Sequence, residues 1–314
     1  MSNEKPKYSG ADAHIFVEKS YPEKVGTTLL DLLREHTRLP SRKEAFPKMT
    51  IFFGPGRSSS TAWALLAASH PNCIGAAYQP LKSIARHGPK YGEICVPCIE
   101  NGRGNALTAG APFWFMTKEV AGPFHPWEDI RPGIGAIDPF YLWTELGYPP
   151  ELINGVVIIR EPKEVFISNF KFEGGIDPRL LASNYQGVLD LYKYYKDKFP
   201  IVPFVFDLCN PFTFGAKTVV AATMNKIGVP FCDLQFNPCA IEKKLQLFEA
   251  AVPDEYKDIV EPTLVKGQFG YPLNHSKIPE TKRDQIEPHL GFIEKQCGPI
   301  YRYFIIESKK ALEL

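Results

Sequence analysis

The chain lacks the Gly-Lys-Ser/Thr wording, after four free positions behind a glycine, of the usual nucleoside-triphosphatase loop. It has no second CxxC. Its seven cysteines are an odd number and show no framework spacing. A disulfide scaffold is therefore excluded, and Cys95-Val96-Pro97-Cys98 reads more readily as two ordinary loop thiols than as a redox pair or half a zinc site. No apolar run approaches membrane-spanning length. The opening Met1–Lys7 is charged and is followed by no apolar core, so no signal peptide is expected and the expected location is cytoplasmic. There is also no excess of either charge: 36 basic residues face 35 acidic ones, for a net charge of +1. Binding nucleic acid by bulk electrostatics is thereby excluded. Repeats and low-complexity tracts are absent.

What is present is a chain of 314 residues with 29 prolines and 24 glycines. The length suits one large α/β domain. Residues 1–24 read as a polar lead-in, and 25–314 as a single domain. Buried strands are expected over Met49–Phe53, Cys73–Tyr78, Phe113–Lys118, Leu152–Arg160 and Ile201–Phe206. Helices are expected around residues 24–36, 62–68, from Pro162 onward, 180–198, 214–227 and 279–306, the last broken at Gly298-Pro299. Alternating strands and helices predict a mostly parallel central sheet flanked by helices on both faces. The continuous Val156-Val157-Ile158-Ile159 run suits a central strand.

Two stretches carry chemistry. In the first, an apolar strand breaks at Gly54-Pro55-Gly56, a turn that only small or kinked residues tolerate. Arg57, Ser58, Ser59, Ser60 and Thr61 follow, and a helix then begins. A strand, a tight turn and a hydroxyl-rich helix start aim backbone N–H groups and a helix dipole at a phosphate-like anion, with Arg57 beside it. Plain helix capping is the competing reading for any one serine. In the second stretch Arg160 leaves the central strand, Pro162 starts a helix, and Ser168 stands eight residues after the arginine. A guanidinium and a hydroxyl at a strand's carboxyl end make a clamp for a second phosphate. Alone, this pair is no more than a surface arginine and a helix-face serine.

Together the two stretches resemble the sulfotransferases that use 3′-phosphoadenosine 5′-phosphosulfate (PAPS). That family binds the 5′-phosphosulfate on a basic-plus-Ser/Thr loop and the 3′-phosphate on an Arg-x-Pro…Ser segment with the same Arg-to-Ser step. This chain has Arg57 where lysine is commoner and Ser59 where glycine is. Val265-Lys266-Gly267 is similar to the family's C-terminal basic-Gly segment, without its arginine, and Phe206-Asp207-Leu208 to its Glu-Asp-Leu, with one acid missing.

The resemblance implies that Arg57 faces the leaving side and that Ser58, Ser59, Ser60 and Thr61 hold the 5′-phosphate. It implies that Arg160, Ser168, Lys266 and Gly267 hold the 3′-phosphate, and that Lys118 touches the sulfuryl oxygens. Trp63 stands one place after the family's usual adenine-stacking tryptophan. PAPS is then the donor, 3′,5′-bisphosphoadenosine (PAP) the product, and no metal is needed. The family's histidine, two residues after the lysine, is Val120 here. Glu119 is the preferred base and His125 the other, with His70 and His275 outside candidates. An acceptor pocket is expected from residues 79–112 and 121–148, around Phe113, Trp114, Phe124, Trp127, Phe140, Tyr141 and Trp143, unless these rings are core. The expected partner is a small-molecule acceptor, with no nucleic acid and no membrane, and a homodimer is left open. The rival readings are a P-loop kinase using ATP, with Asp207 as a weak magnesium-binding acid, and an inactive nucleotide-binding protein.

Overall fold

The apolar run at Ile153–Ile159 is buried along its whole length, which requires cover on both faces. The computed structural model supplies that cover. It describes residues 29–81, 93–99, 113–121, 138–172, 175–233 and 277–314. In chain order the elements are α1 (Leu29–His36), β1 (Thr37–Arg38), β2 (Lys48–Pro55), α2 (Ser60–Ala68), β3 (Cys73–Tyr78), β4 (Ile94–Cys95) and β5 (Trp114–Ala121). There follow α3 (Pro139–Glu145), β6 (Ile153–Ile159), α4 (Pro162–Phe172), α5 (Pro178–Tyr195), β7 (Ile201–Val205), α6 (Ala216–Lys226) and α7 (Arg283–Leu312). The polar lead-in at 1–24 lies outside the described residues.

Five strands form one sheet in the order β3-β5-β2-β6-β7. Every neighbouring pair is parallel, so the expected α/β class holds. β1 and β4 make a separate two-residue parallel pairing. Side chains alternate across the sheet. On one face Phe52 and Phe204 receive Trp63 of α2, with ring centroids 5.4 and 4.9 Å away. On the other, Phe53 meets Phe140 of α3 at 5.4 Å, and Phe140 meets Tyr195 of α5 at 4.9 Å. Helices therefore cover both faces, and β2 runs through the middle with its carboxyl end open to the loop after Pro55.

One expectation fails. α7 runs unbroken for 30 residues through Pro288 and Pro299. A proline inside a helix removes a hydrogen bond and costs about 3 kcal/mol. Packing offsets that cost, because Ile286, Ile293, Cys297, Ile300, Phe304 and Leu312 are all buried. No described helix is long and apolar enough to cross a membrane.

The amino edge of the sheet is closed by local polar contacts. His70 is fully buried. Its Nδ1 accepts from Asn72 N at 3.1 Å and from Trp114 Nε1 at 3.4 Å, while its Nε2 lies 2.9 Å from Pro230 O. Those contacts fix the tautomer with the proton on Nε2. Tyr148 donates to Pro47 O at 2.6 Å, and Asn154 Nδ2 to Ile227 O at 3.0 Å. His70 is thus a structural histidine at the edge opposite the loop.

Candidate functional site

At the carboxyl edge the loop between β2 and α2 is tight. Ser58 N donates to Pro55 O at 3.3 Å. Arg57 and Ser59 both stand in the left-handed region, with φ of 63° and 68°, and Ser58 between them does not. Left-handed backbone costs a residue with a side chain about 1–2 kcal/mol, and such strain gathers at functional sites. The alternation turns successive N–H groups toward one side, the arrangement of an anion nest. Ser59 O accepts from Trp63 N at 3.2 Å, so the nest runs straight into the first turn of α2. Gly54 makes room for the turn, since a Cβ there would stand 2.1 Å from Ile158 O and 3.2 Å from Ser58 Oγ.

The second stretch comes to the same place. Arg57 Nε donates to Ser168 Oγ at 3.4 Å, across 111 residues of sequence. Arg160 leaves β6 as expected and is buried. Its Nη2 bonds Glu164 Oε2 at 3.3 Å, and its carbonyl accepts from Tyr185 OH at 2.6 Å. Its Nε is buried with no partner among the described residues, and so is Ser58 Oγ.

Behind Arg160, Glu161 N donates to Asp207 Oδ2 at 3.0 Å, and Tyr301 OH donates to the same oxygen at 3.0 Å. Glu161 in turn accepts from Glu164 N at 2.8 Å, capping α4. Burial pushes the Asp207 and Glu161 carboxyls above their ordinary range. Asp207 therefore ties the start of α4 to α7. Among the described residues no group of three or more His, Cys, Asp or Glu side chains suits a metal ion.

Lys118 and Glu119 part company. They are neighbours on β5, so strand alternation sends them to opposite faces. Lys118 is buried on the α2 face, its Nζ 4.5 Å from the centre of the Tyr78 ring. Glu119 Oε1 accepts from Leu81 N at 3.2 Å and from Thr117 Oγ1 at 3.4 Å. Thr61, in the first turn of α2, meets Tyr78 OH at 3.0 Å. Tyr78 was missed in the sequence because only the β3–β5 pairing brings it under Lys118.

Trp63 is fully buried against Phe52 and Phe204, so it belongs to the core instead of stacking an adenine. Trp114, Phe140 and Trp143 are also fully buried and serve the core. His125, Lys266, Gly267 and His275, with Phe124 and Trp127, lie outside the described residues. Cys95 and Cys98 are free and exposed.

No family model matches the chain, and no curated protein matches it. Among solved structures it is similar to a mouse sulfotransferase complexed with PAP, at 11% identity and a TM-score of 0.40. That likeness covers 88% of this chain and 93% of the other.

Proposed function

We propose that this chain is a sulfotransferase, moving a sulfuryl group from PAPS to a hydroxyl or amine of a small-molecule acceptor. The observation that carries the reading is the contact between Arg57 and Ser168, because it joins two sequence-distant halves of a two-phosphate clamp into one site. The residues fit a doubly anionic ligand. Ser58 Oγ and Arg160 Nε are buried without partners among the described residues. Leaving such groups unmade costs about 1–3 kcal/mol each, a cost that a bound phosphate would offset.

PAPS, when bound, supplies a sulfuryl group already activated by a phosphate leaving group. The chain's own work is positioning and charge stabilisation, as in phosphoryl transfer. Ser58, Ser59, Ser60 and Thr61, with the N–H groups of the nest and of α2, hold the 5′-phosphate. Arg57 stabilises the charge that grows on its bridging oxygen. Arg160 and Ser168, joined by Lys266 and Gly267, hold the 3′-phosphate. Lys118 meets the sulfuryl oxygens. The acceptor's proton goes to Glu119 or His125; Glu119 is buried and bonded to Leu81 N and Thr117 Oγ1 on the face of β5 opposite Lys118, which favours His125 as the base. These side-chain cations do the work a metal does in kinases.

Titration calorimetry with PAP and with ATP tests the reading. PAP is expected to bind, and to bind tighter than ATP. Absence of PAP binding, or tighter binding of ATP, would overturn the assignment in favour of a kinase.

A further inference from the structure

We infer that Tyr78 is a positioning residue of the sulfuryl subsite, fixing the Lys118 ammonium in a set relation to the first turn of α2. The inference rests on the sulfotransferase reading and adds to it a residue that no motif names.

Three observations converge on this side chain. Tyr78 ends β3 and pairs in register with Lys118 on β5. Its hydroxyl lies 3.0 Å from Thr61 Oγ1, so the distal end of the ring is fastened to the helix whose start receives the anion. Its ring face lies 4.5 Å from Lys118 Nζ. Tyr78 is 3% exposed and Lys118 2% exposed, so both contacts are made away from water, where a cation over an aromatic ring is strongest.

A lysine carries its ammonium on four flexible methylenes, so that ammonium takes its position from its neighbours. The ring is one such fixed neighbour, and its hydroxyl ties it to Thr61. The two cations of the donor site meet different neighbours: Arg57 meets Ser168, and Lys118 meets Tyr78. Lys118 is the cation assigned to the sulfuryl oxygens, so disturbing Tyr78 should affect a ligand that carries the sulfuryl group more than one that lacks it. A tyrosine that merely fills the core would not discriminate between them.

The experiment compares PAPS with PAP by calorimetry on the full chain, and needs no knowledge of the acceptor. Tyr78→Leu, which removes both ring and hydroxyl, is expected to weaken PAPS binding about tenfold and PAP binding about threefold or less, the smaller loss being the part that runs through Thr61. Tyr78→Phe keeps the ring and guards against a leucine variant that fails to fold. It should keep PAPS affinity within about threefold, and it should be non-additive with Thr61→Val, because the two changes break the same bond. Equal losses for PAPS and PAP in Tyr78→Leu, or strict additivity of Tyr78→Phe with Thr61→Val, would overturn the inference and leave the nucleotide site standing. A wild-type chain that binds no PAP would overturn the sulfotransferase reading itself, and this inference with it.

Discussion

The two edges of the sheet use the same kinds of residue in opposite ways. At the amino edge both nitrogens of His70 have partners and the Tyr148 hydroxyl meets a carbonyl. At the carboxyl edge Ser58 Oγ and Arg160 Nε are buried without partners among the described residues, and Arg57 and Ser59 hold left-handed backbone. At the first edge the His70 ring and the Tyr148 hydroxyl are paired within the protein, while Asn154 Oδ1 is buried without a hydrogen-bond partner among the described residues. The second keeps strain and unmet hydrogen-bonding capacity, which is what a binding site at strand carboxyl ends requires. A buried histidine is therefore no guide to function here, whereas an orphaned serine between two residues of left-handed backbone is.

Three substitutions sharpen that contrast. Arg160→Ala should weaken PAP binding by about 2 kcal/mol, roughly thirtyfold, with little change in thermal stability. Calorimetry beside a melting curve checks both, and a large fall in melting temperature with intact binding would erase the contrast. His70→Ala should do the reverse. It strands the N–H groups of Asn72 and Trp114 and should lower unfolding free energy by about 2 kcal/mol, read from urea denaturation, while PAP affinity holds. The smallest effect is expected from Ser59→Gly, which relieves a left-handed φ. It should raise stability by about 1 kcal/mol or less, and a loss of stability would show that the Ser59 side chain contributes more than the strain it carries.

Much of this contrast was legible in the sequence. Four of the five expected sheet strands fell within two residues of their expected ends, because continuous apolar runs such as Val156–Ile159 admit little else, while β5 runs three residues past its expected end at Lys118. The loop was legible because Gly54-Pro55-Gly56 before a hydroxyl run has few structural meanings. Pairing across the sheet was not. The order β3-β5-β2-β6-β7 sets Tyr78 beside Lys118, and no local pattern encodes that order. The expected strand stopped at Lys118 and left Glu119 outside it; because β5 runs on to Ala121, alternation separates the two, and the side on which each lies depends on where α2 packs. Trp63 shows the same limit, since helix periodicity alone does not say which of its faces meets the sheet. The continuity of α7 was hidden because its two prolines are tolerated through long-range packing, which local propensity does not report.

That last helix has a further consequence. Tyr301 shares the Asp207 oxygen that also receives the backbone N–H of Glu161, one residue after Arg160. This helix is thus a prop for the corner where Arg160 leaves β6, a corner of the proposed nucleotide clamp, although no motif lies in it. A shortened version that ended before Tyr301 would keep every signature residue from Arg57 to Ser168 and still lose the support that aims Arg160. The smallest unit that keeps the proposed two-phosphate site intact is set by the reach of that hydroxyl, well beyond Ser168 in the sequence.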